Sequence, residues 1–516
     1  MLSDDQAARE RAINPSMSFC VSAPAGSGKT ELLTQHLLAL LARVDRPEQV
    51  LAITFTRKAA SEMAARIMEK LEQASADAPI EAAHERVTRD LAQQVLAHAQ
   101  ERSWRLDESS LNLRTIDSFC HELTRQMPIL SGMGGIAEPV DNAVPLYERA
   151  VSDFLHQASV GKVGESISAL LGHFDNRWNK VSDLLVALLS RRGDWGPHIG
   201  QHHDPTSAEH AIESTVADLV NDRLDALSEL FTHDTRELCE VINGAREVLA
   251  LSPITLTHDA EALEGWRAVS GAFLTNDLTW RKARGINAKQ GFQKDADLKE
   301  RFLALLARYG DSEPLREALI EVRYLPNPLA RGQGWQLVVL LSSLLPVLQA
   351  HLLLAFQRTG TVDHTHIALA ASQALGGDEQ PTALAERLDY QLEHILVDEF
   401  QDTSSSQAEF LRRLTRGWAE HNATGAMPRT LFIVGDGMQS IYGFRYADVR
   451  LFLQIRQNGL AGLTLEALTL SQNFRSRPAV VSWVNRVFSD LMGKVDDINI
   501  GRVSHVRALS AKSLDD

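Results

Sequence analysis

Short apolar runs alternate with helical patterns over about the first 125 residues of the chain. Residues 19–23 form an apolar run typical of a buried strand, and a glycine-rich turn and a helical pattern over 30–41 follow it. A second apolar run at 50–54 precedes an alanine-rich helical pattern at 58–71. Strands that alternate with helices in this way are typical of a parallel sheet with crossover helices.

Helical periodicity dominates from about residue 126 to residue 355, and the strand pattern then returns at 394–397 and 431–434. Another strand, turn and helix begin near Leu465. We therefore predict an α/β domain formed by 1–125 and 356–464, a mainly helical insertion formed by 126–355, and the beginning of a second α/β domain at 465–516.

One apolar stretch, 337–356, carries no formal charge over 20 residues and is long enough to cross a membrane. Ser342, Ser343 and Pro346 interrupt it. We therefore expect a buried helix, or two helices broken at Pro346, and no membrane span. The first 13 residues are charged throughout and lack the apolar core of a secretion signal.

Acidic residues outnumber basic residues by 67 to 52, which gives a net charge of −15. This charge argues against a protein that coats nucleic acid by overall attraction, but it allows a local basic groove. The three cysteines, Cys20, Cys120 and Cys239, lie far apart and form neither a CxxC pair nor a disulfide framework. We expect a globular protein of the reducing cytoplasm.

The turn after the first strand has the chemistry of a phosphate-binding loop. It consists of Ala23, Pro24, Ala25, Gly26, Ser27, Gly28, Lys29 and Thr30. Its glycines let backbone N–H groups surround phosphates at the start of a helix. Lys29 would neutralise the β- and γ-phosphates of ATP, and Thr30 would ligate Mg²⁺. Ala23 departs from the glycine of the strict pattern, and by itself the segment could also be a flexible turn.

An apolar strand that ends in two acids, 395–399, supports the phosphate-site interpretation. Because the strands of a parallel sheet end at one edge, Asp398 would hold Mg²⁺, and Glu399 would orient and deprotonate the attacking water. The alternative is an acidic pair that caps the next helix. A third strand runs into a glycine turn, where Gln439 could bond the γ-phosphate, although an ordinary turn explains the same residues.

Taken in order, these segments resemble the motifs of superfamily 1 helicases of the UvrD/Rep type. The segments are Gln6, the phosphate loop, 54–60, 115–120, 398–402, 435–445 and 473–476. Within that group, the long insertion is most similar to the helicase subunits of bacterial exonuclease V-like enzymes. The resemblance implies a RecA-like fold and a 3′→5′ DNA helicase that uses ATP and Mg²⁺ in repair or recombination.

The resemblance also implies roles for individual residues. Gln6 reads the adenine, although a capping box with Ser3 explains this residue equally well. Phe474 stacks on the base, and Arg475 reaches the γ-phosphate. The residues implied along the single-strand path are Thr54, Phe55, Thr115, Ser118, Tyr442 and Phe444.

Two residues depart from the family pattern. Asp117 stands where the family often has His, and an acid beside a phosphate path is unfavourable, so direct contact with DNA is not expected there. Glu31 stands where close relatives often have an arginine that stacks on adenine, so that contact is lost.

A basic segment in the predicted insertion is a candidate for contact with the DNA backbone. Its cations are Arg281, Lys282, Arg284, Lys289 and Lys294, with Trp280 and Phe292 among them. A solvated loop face explains the same residues. His198, His202, His203 and Asp204 lie in a Gly/Pro loop without a second ligand group, so we expect no metal there.

The later motifs of the family, including the arginine that completes the ATP site, are missing from residues 1–516, as is a nuclease signature. We therefore expect this polypeptide to bind nucleotide and single-stranded DNA, to hydrolyse ATP poorly and not to unwind duplex DNA. Two alternatives stay open. One is a non-catalytic remnant, and the other is the motor subunit of a complex with a nuclease or a second helicase subunit.

Overall fold

The computed structural model describes most of the chain, which forms two compact units. The first unit comprises Met1–Arg149, Val186–Gly196 and Leu352–Asp516, and the second comprises Ala150–Leu185 and Pro197–His351. The domain ranges expected from the sequence differ from these units and, apart from the boundary near Leu465, stay a prediction. The described residues are 4–76, 83–133, 137–156, 161–199, 205–231, 234–292, 297–328, 333–377, 381–493, 495–498 and 501–512.

A six-stranded parallel sheet and two small two-stranded sheets lie in the described part of the first unit. The strands of all three sheets are, in chain order, β1 (Phe19–Ser22), β2 (Val50–Thr54), β3 (Asn112–Thr115), β4 (Glu138–Pro139), β5 (Thr361–Val362), β6 (His394–Val397), β7 (Thr430–Gly435), β8 (Glu466–Thr469), β9 (Gln472–Asn473) and β10 (Leu509–Ser510). The six-stranded sheet contains β1, β2, β3, β6, β7 and β8. The sheet has the order β3-β2-β6-β7-β1-β8, and every neighbouring pair is parallel. Strands β1, β2, β6 and β7 are buried along their whole length, as is usual for parallel sheets. The predicted α/β class is confirmed.

Helices make up most of the remaining structure. In chain order they are α1 (Asp4–Ala12), α2 (Lys29–Leu41), α3 (Arg57–Ser75), α4 (Ala83–Glu101), α5 (Ile116–Gln126), α6 (Val144–Leu155), α7 (Gly161–His173), α8 (Trp178–Ser190), α9 (Arg192–Ile199), α10 (Pro205–Leu230), α11 (Thr235–Val248), α12 (Leu263–Phe273), α13 (Asp297–Tyr309), α14 (Glu313–Tyr324), α15 (Gln333–Thr359), α16 (His364–Leu375), α17 (Ala383–Gln391), α18 (Ser405–Leu414), α19 (Trp418–Ala423), α20 (Val449–Asn458) and α21 (Pro478–Leu491). In the described part of 161–328 the structure is helical, with an isolated bridge and no strand, in agreement with the predicted helical insertion.

Helix α2 is buried on nearly every side because leucines surround its axis. Leu32, Leu33, Leu37 and Leu38 are each at most 2% exposed and belong to the same core as Phe19 of β1. This packing fixes the first residue of α2, Lys29, at the end of β1. The second unit has its own core, in which aromatic side chains such as Trp266 and Phe302 are fully buried.

Strand β8 corrects one expectation from the sequence. We expected the strand near Leu465 to begin a second α/β domain, but Glu466–Thr469 pairs in parallel with β1 and completes the first sheet. The partner of a strand is set by long-range pairing, which a local apolar pattern does not reveal. The chain leaves this sheet only after β8, where β9 pairs with β10 in a separate small sheet.

The apolar stretch 337–356 lies within one continuous helix, α15, so the alternative of two helices broken at Pro346 is wrong. Pro346 is exposed, whereas Leu344, Leu345, Leu348 and Leu352 are buried. Among the described residues, Gly334–Thr359 is the helix long and apolar enough to cross a membrane, and 28% of its most apolar window is buried. By length and composition alone this is weak support for a membrane span.

A buried ion pair holds the start of α9 within the first unit. Arg192, which is 1% exposed, donates to Asp363 Oδ2 over 2.6 Å and forms a second bond to Oδ1. The Tyr147 hydroxyl also donates to Asp363. Burial raises the pKa of Asp363, but Arg192 outweighs this effect and holds the pKa below its usual value.

We predict that Arg192→Met destabilises the first unit by about 3–5 kcal/mol, because it leaves a buried carboxylate without its counter-charge. Urea unfolding would measure the change. The control is Arg191→Met, since Arg191 is 65% exposed in its pair with Asp194 and should cost less than about 1 kcal/mol. Equal effects of the two substitutions would contradict the prediction.

Candidate nucleotide site and adjoining surface

The glycine-rich loop connects β1 to α2, as the sequence predicts. Gly26 and Gly28 have left-handed backbone angles, with φ of 79° and 77°, and Gly28 directly precedes the first residue of α2. A Cβ on Gly26 would lie 2.9 Å from Asn473 Oδ1 and 3.0 Å from Arg475 Cβ. Both backbone angle and space therefore require glycine at position 26.

The Lys29 ammonium group lies between two carboxylates at the carboxyl edge of the sheet. Its Nζ is 3.1 Å from Asp398 Oδ1 and also contacts Glu399 Oε1. Burial lowers the pKa of Lys29, but the two carboxylates outweigh it and raise the pKa overall. Burial raises the pKa of Asp398, whereas Lys29 and Gln401 outweigh burial at Glu399 and lower its pKa.

Two polar residues that we did not assign from the sequence join the strand ends. Gln401 donates to Glu399 Oε2 over 2.7 Å and accepts from the backbone N–H of Asp436 over 2.9 Å. Asp436 in turn accepts from the N–H of Ala25 over 3.2 Å and from the Gln439 side chain. Gln439 therefore bonds a carboxylate of the next strand end. The sequence signal that could have indicated the role of Gln401 is its position two residues after the acidic pair.

The segment after β9 contacts the loop from the other side. Phe474 donates its N–H to Gly26 O over 2.8 Å, and Asn473 Nδ2 donates to Ala25 O over 3.0 Å. Phe474 is 47% exposed, and Arg475 follows it beside Gly26. The structure thus brings Phe474 and Arg475 to the loop, as the sequence motifs imply.

Helix α1 adds a cation that the sequence did not single out. Arg9 donates to Ser27 O, lies over the Phe474 ring at 5.3 Å, and pairs with Asp5. Asp5 also accepts from the backbone N–H groups of Ser471 and Gln472 at the start of β9. Gln6 is exposed and bonds Glu10 over 3.3 Å, while Ser3, its proposed capping partner, lies outside the described residues.

The loop contains a buried donor that has no partner within the described structure. Ser27 is 2% exposed, and its Oγ makes no hydrogen bond. Unsatisfied buried polar atoms are rare and call for an explanation such as a bound ligand. The neighbouring Thr30 is exposed at the start of α2, with its side chain open to solvent. These donors fit phosphate oxygens, and the carboxylates of Asp398 and Glu399 fit Mg²⁺.

The residues implied along the single-strand path lie at or after the ends of β2, β3 and β7 and differ in exposure. The rings of Phe55 and Tyr442 contact each other with centroids 4.5 Å apart and planes tilted by 44°. Thr54 is 1% exposed. Thr115 accepts from the N–H of Ser118 over 3.1 Å and caps α5. Phe444 belongs to a short turn, and its side chain lies outside the described part of the chain.

The basic segment lies in the second unit, where Arg281 is half-buried and Lys282, Arg284 and Lys289 are exposed. Phe292 is 1% exposed and stacks on Phe302 at 4.7 Å, so it is a core residue and offers no face to a base. Lys294, His202, His203 and Asp204, and the side chain of His198, lie outside the described residues. The described residues hold no cluster of metal-ligating side chains.

Together, a parallel sheet and a glycine-rich loop that opens a helix define a RecA-like nucleotide-binding fold. Residues 4–459 match the family described as UvrD/REP helicase N-terminal domain, and the chain belongs to this family.

The chain is also similar to curated proteins described as ATP-dependent helicase/nuclease subunits. It is 26% identical to the protein of Exiguobacterium sibiricum, over 94% of this chain and 40% of the relative. It is 27% identical to the protein of Desulfitobacterium hafniense, over 94% of this chain and 36% of the relative. It is 26% identical to the protein of Bacillus anthracis, over 92% of this chain and 38% of the relative. The chain thus spans about two fifths of the length of these relatives.

The carboxyl group of Asp402 gives the site a pH-dependent stability. Asp402 is 5% exposed, and its Oδ1 has no hydrogen-bond partner among the described residues. Burial and the charge of Glu399 raise the pKa of Asp402 to about 6. The unfolded chain protonates such a group near pH ~4. Folding therefore takes up a proton between these values, and stability decreases as the pH rises through them.

We predict that Asp402→Asn removes this penalty. Its Tm relative to the wild type should be higher at a pH of about 7 than at a pH of about 4. Thermal unfolding at both pH values would measure the difference. Asp90→Asn is the control because Asp90 is 64% exposed. For the control, the difference in Tm from the wild type should be the same at both pH values. The same result for Asp402→Asn would contradict a raised pKa of Asp402.

Proposed function

We propose that the chain binds ATP with Mg²⁺ between the glycine-rich loop and the acidic end of β6. The observation that carries this proposal is the convergence of Lys29, Asp398 and Glu399. In the proposed complex the loop N–H groups and Lys29 hold the phosphates. Thr30 and Asp398 would ligate the metal, which neutralises phosphate charge when bound.

Glu399 would act as the base in ATP hydrolysis. Its low pKa keeps it ionised, and Gln401 fixes its orientation through a 2.7 Å hydrogen bond. An ionised carboxylate can orient a water molecule and accept its proton. Gln6 and Phe474 would bind the base, while Gln439 and Arg475 would sense the γ-phosphate.

We further propose that hydrolysis drives 3′→5′ movement along single-stranded DNA, in repair or recombination in the cytoplasm. Family membership supports this proposal, and so does a bonded path between the two sites. Gln401, which holds Glu399, also accepts from Ser440 Oγ over 3.1 Å through its backbone oxygen. Ser440 lies two residues before Tyr442, whose ring contacts that of Phe55. Stacking on aromatic rings suits a motor that must pass any base sequence.

A more specific form of this proposal is a motor subunit of a helicase–nuclease complex. The names of the relatives favour it, since each is called a helicase/nuclease subunit. A nuclease or second helicase subunit would then be the partner, and the basic residues Arg281 and Lys282 would contact the DNA backbone.

We predict that Lys29→Ala weakens binding of a fluorescent ATP analogue about tenfold or more, because it removes charged contacts to the phosphates. Glu399→Gln should bind the analogue but release no phosphate above background. Fluorescence titration and a phosphate-release assay with and without single-stranded DNA would measure these effects.

Lys70→Ala is the matched control, since Lys70 bonds only to Gln73 on the exposed face of α3 in the described structure. Equal binding by Lys29→Ala and the control would overturn the nucleotide site. If the wild type binds nucleotide but single-stranded DNA does not increase its phosphate release, the result would favour the non-catalytic remnant over the motor.

A further inference from the structure

Two cations from different elements converge on one exposed carboxylate beside the Phe55–Tyr442 pair. His364 Nε2 lies 3.5 Å from Asp141 Oδ1, and Arg445 Nη2 lies 3.4 Å from the same oxygen. Asp141 precedes α6 and is 81% exposed, while His364 and Arg445 are 38% and 48% exposed. An ion pair at such an exposed carboxylate contributes little to stability. The convergence is therefore better explained by a binding role for the two cations.

The other ring nitrogen of His364 faces a second carboxylate. His364 Nδ1 lies 3.1 Å from Asp117 Oδ2, and Gln407 holds the other oxygen of Asp117 over 2.8 Å. Two facing carboxylates favour the protonated imidazole, and the pKa of His364 is raised by Asp117 first and then by Asp141. Asp117 thus acts as a fixed counter-ion behind His364.

The surroundings of the two cations suit a phosphate group. His364 is the first residue of α16, and the carboxylate of Asp363 before it caps this helix by accepting from the N–H of His366 over 2.7 Å. The cations line a cavity of about 310 Å³ whose walls include Phe55 and Tyr446. Arg445 also lies over the Phe55 ring at 5.9 Å. Four acids line this cavity, Asp117, Asp141, Asp363 and Asp402. Asp363 is paired with Arg192, and the pKa of Asp402 is raised.

We propose that His364 and Arg445 form a binding site for one phosphodiester group, and that Asp141 occupies this site as an internal mimic of the phosphate. The ligand of this site is single-stranded DNA, and the proposal rests on the proposed motor function. A DNA phosphate displaces the Asp141 carboxylate, which returns to solvent. The free chain therefore binds DNA more weakly than its cations alone would allow. The site also explains why an acid at position 117 is tolerated beside a DNA path.

The experiment measures the affinity of the full chain for a fluorescein-labelled oligothymidylate of about 16 nucleotides. Asp141→Asn removes the competing charge and should tighten binding about two- to fivefold. Because Asp141 is 81% exposed, this substitution should leave folding intact. The control is Asp45→Asn, since Asp45 is 67% exposed and pairs with Arg102 at the opposite edge of the sheet. The control should leave the affinity unchanged.

Two further variants test the cations. His364→Gln and Arg445→Gln should each weaken binding and reduce the salt dependence, with a change of about 0.7 in the slope of log K against log salt for each lost phosphate contact. In either background, Asp141→Asn should tighten binding less than in the wild type, because only one of the two basic side chains remains beside position 141. Thermal unfolding would confirm that these variants fold.

The outcomes separate this inference from the motor proposal. If the wild type binds the oligonucleotide but Asp141→Asn binds no more tightly than Asp45→Asn, the phosphate-mimic site is wrong and the motor proposal stands. If His364→Gln leaves the salt slope unchanged, the site is also wrong. Absence of binding in both the wild type and Asp141→Asn would overturn both proposals.

Discussion

A half-buried ammonium group between two carboxylates is the interaction on which the functional account of this chain depends. Two carboxylates face one ammonium group at Lys29, Asp398 and Glu399, so one negative charge is left without a counter-charge within this cluster. Only a parallel arrangement of β1 and β6 brings these residues together, because their strands then end at the same edge. The sheet can therefore be understood as the scaffold for one charge cluster.

The same edge connects the cluster with its neighbours. Gln401 joins the end of β6 to the end of β7, and Asp436 joins β7 to the glycine-rich loop. Loss of the ammonium–carboxylate contact would remove one of the two groups that hold the Glu399 carboxylate and leave its hydrogen bond from Gln401. From there the bonds continue to the turn that contains Tyr442. A change at the nucleotide site thus has a physical route to the aromatic pair on the adjoining surface.

Local patterns sufficed for much of this structure. The apolar runs predicted β1, β2, β6 and β7, and the glycine spacing predicted the loop before α2, because burial and backbone conformation are encoded by nearby residues. Long-range relations were not accessible in this way. The pairing of β8 with β1 depends on residues far apart in the chain, and the continuous course of α15 through Pro346 depends on its packing. Arg9 and His364 also lie outside any motif, so only the folded chain reveals their partners.

The most direct test of the central claim is the effect of Mg²⁺ on the affinity for a non-hydrolysable ATP analogue, measured by calorimetry in the wild type and in Asp398→Asn. If Lys29 and the acids surround one metal–triphosphate, Mg²⁺ should strengthen binding to the wild type and have little effect on binding to Asp398→Asn. An identical response to Mg²⁺ in both proteins would show that the end of β6 does not hold the metal, and the account would then fail.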